Sequence, residues 1–165
     1  MAGKKIAIIG AGVMGQGLAE AVAAAGTEVT LIDKTTRLAE RGVKAIAEAM
    51  NREIGKWGLT ESDKKAILAR IYPSSDLSMT EDAEIILEAI PEDLQMKRDL
   101  FEKLDTVVRP DALLVTNTGT ISVSEIAAVT ERPQKIIGMH FLTPVTKVPV
   151  VEIVKGFHTD DDTFR

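Results

Sequence analysis

The chain contains no cysteine, which removes a disulfide framework, thiolate catalysis and every cysteine-ligated metal site from consideration. Only two histidines are present, His140 and His158, too few for a histidine-rich zinc site, so no metal is expected. No run approaches the roughly 18 consecutive apolar residues of a membrane span, and no membrane is expected as a partner. The amino terminus carries two lysines and passes straight into Gly10-Ala11-Gly12, without the apolar stretch and cleavage site of a secretory signal. A cytoplasmic location is the expectation. Basic residues number 20 against 25 acidic ones, and the net charge of −5 gives no electrostatic ground for nucleic acid as the main partner.

What is present describes one globular domain, 1–165, with 45% apolar and 27% charged residues, enough to bury a core. Short apolar runs alternate with amphipathic segments. Strands are predicted at 5–9, 28–32, 71–72, 84–89, 112–116, 135–140 and 150–154. Helices are predicted at 13–25, closed by Gly26, at 35–54, at 60–70 behind a Thr60/Asp63 capping pair, and at 92–108. The alternation predicts an α/β domain of the Rossmann type, a mostly parallel sheet with helices on both faces. The connection 35–70 is longer than one crossover helix needs. A two-helix excursion there would project from the sheet, within reach of a ligand.

Gly10-Ala11-Gly12-Val13-Met14-Gly15 is a G-x-G-x-x-G between the first strand and the first helix. Its glycines permit a tight turn, close approach to a pyrophosphate, and close helix packing, with the pyrophosphate on the helix N-terminus. Asp33 ends the second strand 18 residues after Gly15, near the roughly 20 expected of the acid that accepts from the adenosine ribose. A carboxylate there repels a 2′-phosphate, so NAD is expected over NADP; Lys34 and Arg37 could partly offset that repulsion or be solvated helix-start charges.

His140 closes one apolar strand and Glu152 lies inside the next. Fully extended, the connection would separate them by about 40 Å, but Pro144 and Pro149 stand where a reversal would be made. An ionisable residue in a Val/Ile run wants a partner, and histidine is the obvious one. The pair suits alcohol oxidation, with imidazole as base and carboxylate fixing its tautomer. The other reading is a structural histidine beside an edge-strand glutamate. His158, in the polar tail, is expected to be solvated.

Gly10 to Gly15, Glu88-Ala89-Ile90-Pro91-Glu92, Asn117-Thr118, Gly138-Met139-His140-Phe141 and Val151-Glu152 together resemble the NAD-binding domain of the 3-hydroxyacyl-CoA dehydrogenases, including 3-hydroxybutyryl-CoA dehydrogenases. The resemblance implies an oxidoreductase of fatty acid metabolism that interconverts L-3-hydroxyacyl-CoA and 3-oxoacyl-CoA. It implies His140 as general acid or base, with Glu152 orienting it. NAD-contacting positions would be Asp33, Glu92 and Lys97, with Ala89 beside the cofactor. Asn117 is a further cofactor position and falls at the substrate end, Thr143 keeps a polar group there, and Lys56 matches a position that approaches the CoA phosphates. Glu92 and Lys97 could also be solvated helix-start charges, and Lys56 a helix cap.

The chain departs from the family pattern in three ways. Gly119 stands where a serine is usual, so Thr118 or Thr120 would have to supply a hydroxyl, and Thr143 stands where asparagine is usual. The family also continues into a helical second domain that completes the substrate site and forms the homodimer. Thr159 as N-cap with Asp160, Asp161 and Asp162 in a first turn suggests a helix interrupted at the end of the chain, so a truncated or separately produced N-terminal domain is expected. A catalytically silent NAD-binding module and a dehydrogenase of a non-CoA hydroxy acid remain alternatives.

Overall fold

A computed structural model of the chain describes residues 5–55 and 58–165. Its centre is built from short runs of aliphatic residues: β1 (Ile6–Ile9), β2 (Val29–Ile32), β3 (Ile71–Ser74), β4 (Ile85–Glu88), β5 (Leu113–Thr116), β6 (Ile136–Phe141) and β7 (Val151–Lys155). They form one sheet in the order β3-β2-β1-β4-β5-β6-β7. Every neighbouring pair is parallel except β6 and β7, which run antiparallel.

Successive strand residues face opposite sides, so a parallel sheet buried on both faces is apolar throughout. On one side Ala7 and Ile9 pack with Phe101 and Leu104 of α4 (Leu94–Val107) and Ile126 of α5 (Val123–Ala127). On the other, Ile8 and Leu31 pack with Leu18 and Ala19 of α1 (Val13–Ala24), Ile46 and Met50 of α2 (Thr36–Glu53), and Ile67 of α3 (Glu61–Leu68). The two-helix excursion therefore does not stand off the sheet. The apolar stripe that predicted α2 buries Ile46 and Met50, and α3, predicted from its capping pair, buries Ile67, all in the cluster that holds α1.

Other local expectations also shift. α4 starts at Leu94 rather than at 92, because Asp93 is the N-cap and accepts from the Met96 amide at 2.8 Å. Glu92 is therefore a loop residue and not part of a helix start. Pro73 is accommodated in β3 because that strand is at the sheet edge, where a missing donor is tolerated. Thr159 is no cap: it is buried and donates to the Ile136 carbonyl at 2.6 Å. Asp160 caps α6 (Asp161–Phe164) instead, accepting from the Thr163 amide at 2.6 Å. The short α5 carries no periodic signal of its own and was not predicted.

β1 lies between β2 and β4, so the strand order reverses there, and a crevice opens at the carboxyl ends of the two central strands, where ligands bind in open α/β sheets. Among the described residues no helix is long and apolar enough to cross a membrane.

Candidate active site

The glycine turn leaves β1 on the crevice. Gly10 has φ +107°, and a Cβ there would sit 2.5 Å from the Ala89 carbonyl oxygen, so glycine is required twice over. Ala89 thus lines the turn, and its own amide donates to the Ile9 carbonyl at 2.8 Å. A Cβ at Gly15 would overlap the Gly10 carbonyl, whereas at Gly12 it would meet nothing within 4 Å, leaving that backbone open to a ligand. No side chain caps α1 and its first turn has no acid, so the amides of Val13 and Met14 begin the helix without side-chain partners. That is the setting in which a helix N-terminus takes an anion.

Asp33 sits just beyond β2 with Oδ2 accepting from the Ala11 amide at 2.8 Å and Oδ1 from the Lys34 amide at 2.7 Å. These bonds tie it to the glycine turn and leave lone pairs on both oxygens for further donors. Gly10, Gly12, Val13, Met14, Gly15, Asp33 and Ala89 are thereby brought to one side of the crevice.

The other side is built from the ends of β4, β5 and β6. Glu92 Oε1 accepts from Thr118 Oγ1 at 2.5 Å, Thr120 Oγ1 at 2.9 Å, and the amides of Gly119 and Thr120, both at 3.1 Å. The hydroxyl protons expected for a substrate from Thr118 or Thr120 are therefore engaged on Glu92. Lys97 is 1% exposed rather than solvated, with its ammonium 2.6 Å from Glu88 and 3.4 Å from Glu92. Asn117 Oδ1 accepts from the Phe141 amide at 3.1 Å, joining the end of β5 to the strand that carries His140.

The reversal through the two prolines sets His140 directly opposite Glu152 in the β6–β7 register. His140 Nδ1 lies 2.8 Å from Glu152 Oε2, which assigns the Nδ1 proton to this bond and leaves Nε2 free. Nε2 faces the turn after β5: a Cβ on Gly119 would be 3.4 Å from it. Thr143 lies further along, lining a groove of about 260 Å³ with Val13, Gly17 and Val145. His158 is exposed, edge-on to Phe157 at 5.1 Å. Lys56 lies outside the described residues.

Glu88 and Thr116 are site residues that the sequence reading missed. Glu88 is fully buried at the end of β4 and accepts from Thr116 Oγ1 at 2.7 Å and the Ile90 amide at 2.8 Å. The signal was available, since Glu88 closes an Ile-Ile-Leu run and a carboxylate buried there needs a partner.

Partial burial pushes the Glu92 pKa up, but the bonds from Thr118 and Thr120 and the charge of Lys97 outweigh it and hold the carboxyl at about 2, against an ordinary 4.5. The folded pKa is lowered, so the stabilisation these contacts give is complete above the ordinary value and is lost as pH falls towards 2. In an acid titration followed by NMR, the Gly119 and Thr120 amide shifts should move with a midpoint near 2. A midpoint near 4.5 would show that the contacts are not formed in solution.

A doubly wound sheet with an open glycine turn, a free helix N-terminus and an acid at the end of β2 defines a dinucleotide-binding domain of the Rossmann class. The family model described as 3-hydroxyacyl-CoA dehydrogenase, NAD binding domain, matches residues 5–165, and the chain belongs to this family. NAD is its cofactor, and the turn and Asp33 fit it. Among curated relatives, a probable 3-hydroxybutyryl-CoA dehydrogenase of Bacillus subtilis is 39% identical over 97% of this chain and 56% of its own length. The 3-hydroxybutyryl-CoA dehydrogenase of Bradyrhizobium diazoefficiens is 37% identical over 98% of this chain and 55% of its own. The crystal structure of (S)-3-hydroxybutyryl-CoA dehydrogenase from Ralstonia eutropha superposes with a TM-score of 0.93 at 36% identity, covering 97% of this chain and 56% of that one. The chain therefore spans a little over half the length of the relatives it matches.

Proposed function

We propose that this domain serves an NAD-dependent dehydrogenase interconverting L-3-hydroxyacyl-CoA and 3-oxoacyl-CoA. The observation that carries the reading is the His140–Glu152 bond of 2.8 Å, at the end of the sheet where the cofactor crevice lies, with Nε2 turned towards Gly119. Bound NAD supplies the acceptor for the hydride that leaves the carbinol carbon. His140 Nε2 takes the hydroxyl proton in that direction and returns it in the reverse one. Glu152 holds the imidazole tautomer through Nδ1 and offsets the charge that develops on the ring. With the donors of Thr118, Gly119 and Thr120 directed at Glu92, His140 is left as the principal donor to a substrate oxygen. Asn117 and Thr143 border the substrate end, and Lys56 is assigned to the CoA phosphates by resemblance alone.

The same reading assigns residues 1–165 to the cofactor domain of a longer family architecture, with a helical partner domain that excludes water and mediates a homodimer in the cytoplasm. Support comes from the share of the relatives that is matched. It comes also from β7 and the residue before it, which leave Val150, Val151, Ile153 and Val154 exposed.

The deciding experiment is NADH oxidation with acetoacetyl-CoA compared with acetoacetate. The reading requires a strong preference for the thioester; equal use of acetoacetate would favour a non-CoA hydroxy acid, and no turnover in any chain length a silent module. The 165-residue chain alone should bind NADH yet turn over slowly, because positioning and water exclusion are incomplete. Rapid turnover by it would refute the need for a second domain. The chain should also bind NADH more tightly than NADPH, and Asp33→Ala should abolish that preference; calorimetric titration with both cofactors checks it.

A further inference from the structure

Glu88 is the least exposed carboxylate in the crevice wall, and the family resemblance gives it no role. Its Oε1 takes the Lys97 ammonium at 2.6 Å and the Ile90 amide at 2.8 Å, and its Oε2 takes Thr116 Oγ1 at 2.7 Å. Side-chain exposure is 0% for Glu88 and 1% for Lys97. Stability does not explain such a pair, because apolar residues of similar volume usually serve a dry interior equally well or better. Its place in the fold offers another explanation. Glu88 ends β4, Thr116 ends β5 and Lys97 is in the first turn of α4, so the cluster joins three elements directly behind Glu92.

The distances show a division of labour. Lys97 is drawn to 2.6 Å on Glu88 and stands back at 3.4 Å from Glu92 Oε2. Glu92 Oε1 is thereby left to gather its four donors from the turn that faces His140, while its partly exposed carboxylate keeps Oε2 as an acceptor at the crevice. Without the Glu88 charge, Lys97 has one counter-ion left, and closing onto Glu92 would swing the carboxylate away from the turn.

We propose that Glu88 is a positioning residue, which through Lys97 sets Glu92 and the Asn117–Thr120 turn for the nicotinamide half of the cofactor. This rests on the reading of the crevice as the NAD site, in which the adenosine half lies towards Asp33 and the other half over the ends of β4 to β6. A merely structural role would weaken all ligands together, whereas positioning affects one half of the dinucleotide.

The test is calorimetric binding of NADH and of ADP-ribose, which lacks the nicotinamide, to the 165-residue chain. Glu88→Gln should weaken NADH by about tenfold, the scale of one displaced hydrogen bond to a charged group, and leave ADP-ribose nearly unchanged. Should that variant fold poorly, Glu88→Asp keeps the charge but draws it back from Lys97 by one methylene, and it should show the same selectivity with a smaller loss of NADH. NADH affinity equal to that of the parent in a folded variant, or equal losses for both ligands, would overturn the positioning role. A parent chain that binds neither ligand would overturn the cofactor reading itself, a result plainly separate from lost selectivity.

Discussion

In the proposed dehydrogenase, His140→Gln should lower kcat by about 100- to 10,000-fold, the usual contribution of a general acid or base, while NADH still binds. The amide can occupy the space of the ring but cannot exchange a proton at the Nε2 position. The donors of the facing turn are held by Glu92, so few other groups are placed to substitute. Glu152→Gln should slow turnover less, because the amide oxygen can still accept from Nδ1 and hold the ring but no longer balances its positive charge. Steady-state kinetics at saturating cofactor and acetoacetyl-CoA, with NADH affinity measured alongside, separates the two effects. A His140→Gln enzyme with near-normal kcat would remove the histidine from proton transfer. A structural histidine would instead announce itself as lost thermal stability with the rate of the folded fraction preserved.

That pair illustrates what the sequence could and could not reveal. His140 and Glu152 were paired from the cost of burying an unpartnered acid in an apolar strand, but β7 is exposed along its length and the Glu152 side chain is 63% exposed, so it is the antiparallel β6–β7 register and not burial that brings them together. The glycine turn and Asp33 were equally legible, because steric demands at Gly10 and Gly15 leave a spacing that local sequence records directly. Glu92 and Lys97 were harder. In isolation, charges near a helix start look solvated, and only the meeting of β4, β5 and α4 shows that one is buried and the other gathers a distant turn. Contacts such as Thr118 to Glu92, 26 residues apart, have no periodic signature. The same holds for α5, too short for its apolar spacing to stand out, and for Thr159, whose capping propensity yields to a tertiary bond with the Ile136 carbonyl.

The largest effect on stability should come from Lys97→Met. Methionine nearly matches the volume of the lysine stem, so little cavity is made, but Glu88 is left fully buried without its counter-charge. Thr116 Oγ1 and the Ile90 amide still donate to it, yet two neutral donors do not replace an ammonium at 2.6 Å. Breaking a buried pair in this way typically costs about 3 to 5 kcal/mol, a large share of the roughly 5 to 15 kcal/mol that holds an ordinary domain folded. Adding Glu88→Leu removes the stranded charge, and the double variant should recover most of the loss even though it lacks the ion pair altogether. Urea denaturation of the parent, the two single variants and the double variant closes the cycle. The decisive quantity is the order of stabilities, with Lys97→Met below the double variant. If Lys97→Met unfolds within about 1 kcal/mol of the parent, the scale of an exposed ion pair, then Lys97 and Glu88 reach solvent, and the buried cluster behind Glu92 is not what fixes that carboxylate.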